Sequence, residues 1–155
     1  EETAEELSAR LAEMGAELLL RAVNLVEEGK DSAIPQDPGG VTHCSLFSKE
    51  DGRIRWDGPA WRIHNRVRAS IPWPVAQCLY GGQVCRILKT LPDPRPARGT
   101  PGTVTETAKD RIYVATGEGE LAILRFQAPG KKAMDMEAYL RGNRIEPGDR
   151  FGEVT

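Results

Sequence analysis

Between residues 7 and 25 the apolar side chains Leu7, Leu11, Met14, Leu18, Ala22 and Leu25 recur at steps of three and four, the period of one helix face. Thr3 and Glu6 have the spacing of a capping box, so the helix is predicted to start there. Gly15 interrupts the stripe and predicts a break into two short helices, and Gly29 is placed to end the segment. The stripe has no evident partner in so short a chain and reads as the last helical part of something larger.

Residues 31–42 hold two prolines and two glycines with little apolar content, the signature of a linker. Ser48 ahead of Glu50 and Asp51 predicts a single capped helical turn ending at Gly52. Asp57 to Pro59 then opens a helix with Pro59 near its first position and Ala60, Ile63 and Val67 on its apolar face; Pro72 ends it. Arg62, Arg66 and Arg68 lie on its other faces; for Arg62 and Arg66 a solvated face weighs at least as much as phosphate contact.

From residue 75 the period falls to two. Ala76–Tyr80 and Gln83–Leu91, joined by Gly81-Gly82, predict a tight hairpin, because two glycines accept the positive φ angles of the turn. Four prolines between Leu91 and Gly102 predict a loop. Further strands are predicted at Gly102–Glu106, Arg111–Ala115 and Glu120–Phe126, then a short helix at Asp135–Arg141 and a turn at Pro147–Phe151 leading to a last strand. The predicted fold is therefore mainly β with N-terminal helices: a small OB-like antiparallel barrel preceded by a helical segment and a linker. There is no internal repeat.

The 155 residues are 39% hydrophobic and 28% charged, ordinary for one globular domain or a domain with an appendage. No apolar run reaches the roughly 20 residues of a membrane-spanning helix, and no signal peptide precedes the first helix. The chain opens on Glu1 rather than methionine, which reads as processing or a fragment. A net charge of −2 conceals a split: residues 1–30 carry eight acidic and three basic groups, and the remainder is net +3. Such asymmetry is compatible with a nucleic-acid-binding part beside a part with another role. Cys44, Cys78 and Cys85 lack CxxC spacing, so neither a disulfide framework nor a zinc site is expected; buried, reduced thiols are. Of three tryptophans, Trp56, Trp61 and Trp73, a structural role is favoured over base stacking.

Two motif groups carry more. The first is Ser48-Lys49-Glu50-Asp51-Gly52-Arg53-Ile54-Arg55-Trp56, followed by Ile63-His64, Arg68 and Pro72-Trp73-Pro74. The second is Pro129-Gly130-Lys131-Lys132-Ala133-Met134, followed by Leu140-Arg141-Gly142 and Pro147-Gly148-Asp149-Arg150-Phe151. In this order they resemble the C-terminal domain of the methionyl-tRNA formyltransferase family over residues 41–152. Glu2-Thr3-Ala4, Leu7, Leu11 and Gly15–Leu19 are similar to the closing helices of that family's catalytic domain. The resemblance implies terminal helices of a truncated catalytic domain at 1–30, a linker at 31–42 and an OB-like domain at 43–155.

It also implies an enzyme that moves a formyl group from 10-formyltetrahydrofolate to methionyl initiator tRNA for translation initiation in the cytoplasm. The family's catalytic Asn, His and Asp and its His-x-Ser-Leu-Leu-Pro motif belong to the other domain, and His43-Cys44-Ser45-Leu46-Phe47 does not match that motif. Hence no catalytic residue, metal or cofactor is assigned here, the folate donor belongs to the missing domain, and the chain alone is expected to be inactive. Its expected partners are the initiator tRNA and its own catalytic domain, with no membrane, as a monomer. The expected tRNA contacts are Lys49, Arg53, Lys131 and Lys132, cations in turns from which they can reach phosphates. His64 is expected to pack or hydrogen-bond rather than react.

Two departures from the family pattern stand out. Leu46 replaces a frequent lysine, removing one phosphate contact, and Val75 replaces a glycine, so a left-handed backbone is not an easy option there. Two competing readings keep the fold: the C-terminal domain of a sugar-nucleotide or formyltetrahydrofolate-using formyltransferase or hydrolase, and a purely structural packing domain.

Overall fold

The computed structural model describes residues 1–154. It begins with one continuous helix, α1 (Ala4–Glu27), capped at its start by a reciprocal box in which the Glu6 N–H donates to Thr3 Oγ1 and the Thr3 N–H donates to Glu6 Oε2. Gly15 does not break it: a single glycine costs about 1 kcal/mol against alanine, less than a 24-residue run of hydrogen bonds and good helix formers recovers. No residue of α1 is buried, and its apolar stripe faces outward. Residues 31–48 run exposed to the barrel, with one 3-10 turn at Pro38–Gly40.

The second 3-10 turn, Glu50–Gly52, forms where predicted, but Ser48 caps it differently. Its N–H and hydroxyl both donate to Asp51 Oδ2, so the carboxylate reaches back and the serine does not accept. Helix α2 (Ala60–Ala69) follows with Pro59 as N-cap and Ala60, Ile63, His64 and Val67 buried. Strands β1 (Ala76–Tyr80) and β2 (Gln83–Asp93) form the predicted hairpin. Gly81 and Gly82 have φ of +58° and +75°, values the turn needs and only glycine adopts without strain. Strand β2 continues through Pro92 to Asp93, two residues past the predicted end. Then come β3 (Val104–Thr107), β4 (Ile112–Ala115), β5 (Glu120–Gln127), β6 (Met134–Asp135), α3 (Met136–Leu140) and β7 (Phe151–Gly152).

The strands lie in the order β3-β4-β5-β2-β1-β7, all antiparallel, with β6 beside the end of β5. The two outer strands meet: Thr103 bridges Arg150, the Val104 N–H donates to the Asp149 carbonyl, and the Phe151 N–H donates to the Gly102 carbonyl. The sheet thus curls on itself around Ile54, Ile87, Ile112, Leu121, Ile123 and Phe126, all wholly buried. Phe151 anchors one end, stacked on Tyr80 at 4.8 Å and tilted against Trp56 at 5.9 Å; aromatic pairs of this kind add about 0.5–1.5 kcal/mol each.

Two expectations are corrected in part by burial and a third by backbone geometry. Trp56 is a core residue, whereas Trp61 and Trp73 are 56% and 52% exposed. Cys78 and Cys85 are buried opposite one another, whereas Cys44 is exposed. Val75 has φ +63° although a β-branched side chain disfavours it. The tight junction beneath it explains why: the Val75 N–H donates to the Ser70 carbonyl, and a Cβ at Gly52 would lie 2.6 Å from the Val75 carbonyl oxygen.

Candidate nucleic-acid interface

Lys49 and Arg53 flank the Glu50–Gly52 turn. Ser48 holds this turn through Asp51, and its N–H and hydroxyl, with the nearby Arg66 guanidinium, keep the Asp51 carboxyl below its ordinary range. Arg53 bridges Gln77 in parallel pairing, with the Ile54 N–H donating to the Gln77 carbonyl at 2.9 Å. Gln77 faces Arg86 across the hairpin, and Arg86 faces Gln127 across the next ladder. The row Arg53–Gln77–Arg86–Gln127 therefore crosses three strand spacings, roughly 14 Å at about 4.8 Å each. Its side chains point away from the core, because the alternating neighbours Cys78, Cys85, Ile87 and Phe126 point into it.

At the far end of the row, the Gln127 side-chain amide donates to the Lys131 carbonyl at 2.9 Å and pins the Pro129-Gly130-Lys131-Lys132 loop. Both lysines are exposed. Arg86 Nη1 lies 3.4 Å from Gln127 Oε1, and Gln77, Val84, Arg86 and Gln127 share a shallow concavity of about 340 Å³ with the start of that loop. Arg53 and the lysine loop, distant in sequence, are the ends of one lateral row, and Lys49 lies across the Glu50–Gly52 turn from Arg53. Leu46 is fully solvated and contributes no charge.

Arg86 was missed by sequence reasoning: the Gly-Gly turn fixes its place opposite Gln77, but nothing local signals its place beside Gln127. Lys89 and Arg125, also unpredicted, face each other directly on β2 and β5. Glu1, ahead of α1, and Glu5 and Glu6 of its first turn line the same cleft as that pair. His64 borders this cleft as a packed residue, with Nδ1 3.0 Å from Thr90 Oγ1; burial pushes its pKa below the usual histidine value, partly opposed by Glu1. A second cleft, of about 420 Å³, lies between residues 50–58 and α2 and is lined by Arg53, Arg55, Arg62 and Arg66. Among the described residues no helix is long and apolar enough to cross a membrane.

Residues 47–144 match the family model described as formyl transferase, C-terminal domain. The chain belongs to the formyl transferase C-terminal domain family. It is 40% identical over 153 residues to the methionyl-tRNA formyltransferase of Alkaliphilus oremlandii, covering 99% of this chain and 49% of that protein. The Heliobacterium modesticaldum methionyl-tRNA formyltransferase is 34% identical over 160 residues, covering 98% and 51%. The chain spans about half the length of the curated relatives it matches. Among solved structures, a variant of HypX from Aquifex aeolicus superposes with a TM-score of 0.63 at 20% identity, over 94% of this chain and 28% of that one. HypX in complex with tetrahydrofolic acid superposes with a TM-score of 0.55 at 20% identity, over 90% and 26%. These likenesses show that this formyl transferase C-terminal domain shares its fold with part of HypX.

Proposed function

We propose that this chain is the non-catalytic, tRNA-contacting part of a methionyl-tRNA formyltransferase. The whole enzyme would transfer a formyl group from 10-formyltetrahydrofolate to methionyl initiator tRNA in the cytoplasm, and this part would hold the tRNA backbone. Residues 43–155 form the tRNA-contacting domain, 31–42 the linker, and 1–30 the closing helical part of a catalytic domain. The outward apolar stripe of α1 and relatives twice as long support that division.

The observation that carries the reading is the row from Arg53 to the lysine loop. It aligns cations from two distant segments on one outward face, as a backbone-tracking surface requires. The proposal is tested with the double variant Lys131→Ala, Lys132→Ala in this chain, titrated with initiator tRNA at several salt concentrations. Affinity is expected to fall several-fold, and the slope of log K against log salt to become shallower by about 1.5, since each phosphate contact contributes about 0.7–0.9. Unchanged affinity and slope would refute the assignment and favour a domain that only packs on its catalytic partner. The chain alone is expected to show no formyl transfer.

A further inference from the structure

We propose that the cleft between residues 50–58 and α2 is an anion site that receives a phosphodiester group of the RNA backbone, with Arg55 and Arg62 as its principal ligands. This rests on the RNA-contacting reading above and extends it to residues outside the row.

Four guanidinium groups line the cleft against two carboxylates, Glu50 and Asp57. Two of the four are partly engaged: Arg53 lies 3.8 Å from Glu50, and Arg66 donates to the Asp51 carbonyl at 2.8 Å with the Asp51 carboxylate 4.0 Å away. Arg55 and Arg62 have neither a carboxylate within 4.0 Å nor a side-chain hydrogen bond among the described residues. Two positive forks thus face one concavity with their donors unused, and a planar guanidinium pairs with phosphate through two parallel hydrogen bonds.

The framework beneath them is rigid. Ile54 and Ile63, which form the apolar floor, belong to the core. The Gly117 N–H donates to both the Trp56 and Gly58 carbonyls, fixing the turn that follows Arg55. Arg62 and Arg66 stand one helical turn apart on α2. The buried apolar floor lowers the local dielectric and strengthens attraction for an anion above it. A volume of about 420 Å³ accommodates a phosphate with its ribose. Arg53 lines this cleft and also begins the lateral row, so one strand can pass from the cleft onto the row without leaving positive surface.

The test uses this chain with 15N-labelled arginine side chains, with inorganic pyrophosphate and a short RNA duplex as separate probes. The RNA duplex is expected to shift the Arg55 and Arg62 Nε–Hε signals, with pyrophosphate doing so more weakly. The double variant Arg55→Gln, Arg62→Gln is expected to bind RNA about tenfold more weakly, with a salt slope shallower by about 1–2. An unchanged thermal melt shows that the variant is folded. If pyrophosphate shifts the signals and RNA does not, the site takes free phosphate and the proposal is overturned. If the arginine variant binds RNA like the parent while the lysine variant weakens binding, the cleft assignment fails and the function stands. If neither variant weakens binding, both fall.

Discussion

Two groups of arginines in this molecule share a chemistry and differ in surroundings. Arg95 and Arg98, in the proline-rich loop between β2 and β3, meet carboxylates at every fork. Arg98 Nε lies 3.1 Å from Glu120 Oε1, and its backbone N–H donates to the same oxygen at 3.2 Å. Arg98 Nη2 reaches Glu106 at 2.9 Å, Arg95 Nη1 reaches Glu106 at 3.2 Å and Arg95 Nε reaches Asp93 at 3.0 Å. The Arg95 guanidinium also sits over the Tyr113 ring, 4.4 Å from its centroid. Among the described residues, Arg55 and Arg62 have no such partners. In the first group the charge is consumed in fastening a loop to the barrel; in the second it is left available. Neutralisation by the chain itself is what separates the fastening arginines from the two proposed to bind.

The largest effect that would test this contrast is Glu120→Gln. Glu120 is wholly buried, and replacing it leaves the Arg98 fork unmatched beside a neutral amide. Breaking a buried pair costs about 3–5 kcal/mol; because the arginines here are half in solvent, about 2–3 kcal/mol is expected, read by urea unfolding at pH 7. Acid should reproduce the loss. Burial alone would push the Glu120 carboxyl up, but Arg98, through side chain and backbone, and the Thr105 hydroxyl outweigh it and hold the carboxyl below its ordinary range. The folded value thus lies below the unfolded one of about 4.3. The stabilisation is complete above that value and disappears as pH falls through the folded value. The parent and Glu120→Gln should therefore converge in stability as the pH falls through that lowered folded value. A penalty below about 0.5 kcal/mol at pH 7 would mean the loop is held by other contacts.

A smaller effect concerns the platform that carries Lys49 and Arg53. Val75 holds φ +63° because its carbonyl packs on Gly52. Left-handed backbone costs an L residue about 1–2 kcal/mol, offset partly by the greater unfolded freedom of glycine and the lost half-buried side chain. Val75→Gly should stabilise the domain by about 0.5–1 kcal/mol, seen as a raised urea midpoint. A lowered midpoint would show that the valine side chain contributes more packing than its backbone costs.

How much of this was legible beforehand follows from how local each cause is. The Gly81-Gly82 turn, the Thr3–Glu6 box and the Ile63–Val67 face are set by neighbours within a few residues, and each element formed where the pattern predicted. Gly15 misled because its weak local cost is averaged over a long helix. Val75 misled because a tertiary contact with Gly52 overrides its preference. Glu120 gave no signal, since its partner Arg98 comes from a loop 22 residues earlier. The lysine loop and Arg53 were named separately, and that Arg86 joins them depends on the β2–β5 register, which no local pattern encodes. Arg55 lies outside any regular element and Arg62 in a helix; long-range contacts such as the Ile54–Gln77 bond, the Gly117 bonds and the packing of α2 bring them to one cleft.

The smallest effect is the sharpest discriminator between the two arginine groups. Arg62 and Arg66 lie four residues apart on α2, and like charges at that spacing destabilise a helix by about 0.2–0.5 kcal/mol. If Arg62 is unneutralised, Arg62→Gln should leave stability unchanged or raise it by about 0.2–0.5 kcal/mol. The gain should be largest at low ionic strength and shrink toward zero in 1 M salt, where the Debye length falls to about 3 Å. Careful urea titrations at two salt concentrations resolve it. That outcome would support the use proposed for Arg62 outside the chain. If Arg62→Gln instead cost more than about 1 kcal/mol, Arg62 would belong with Arg98 as a fastening residue, and the distinction between the two groups would collapse.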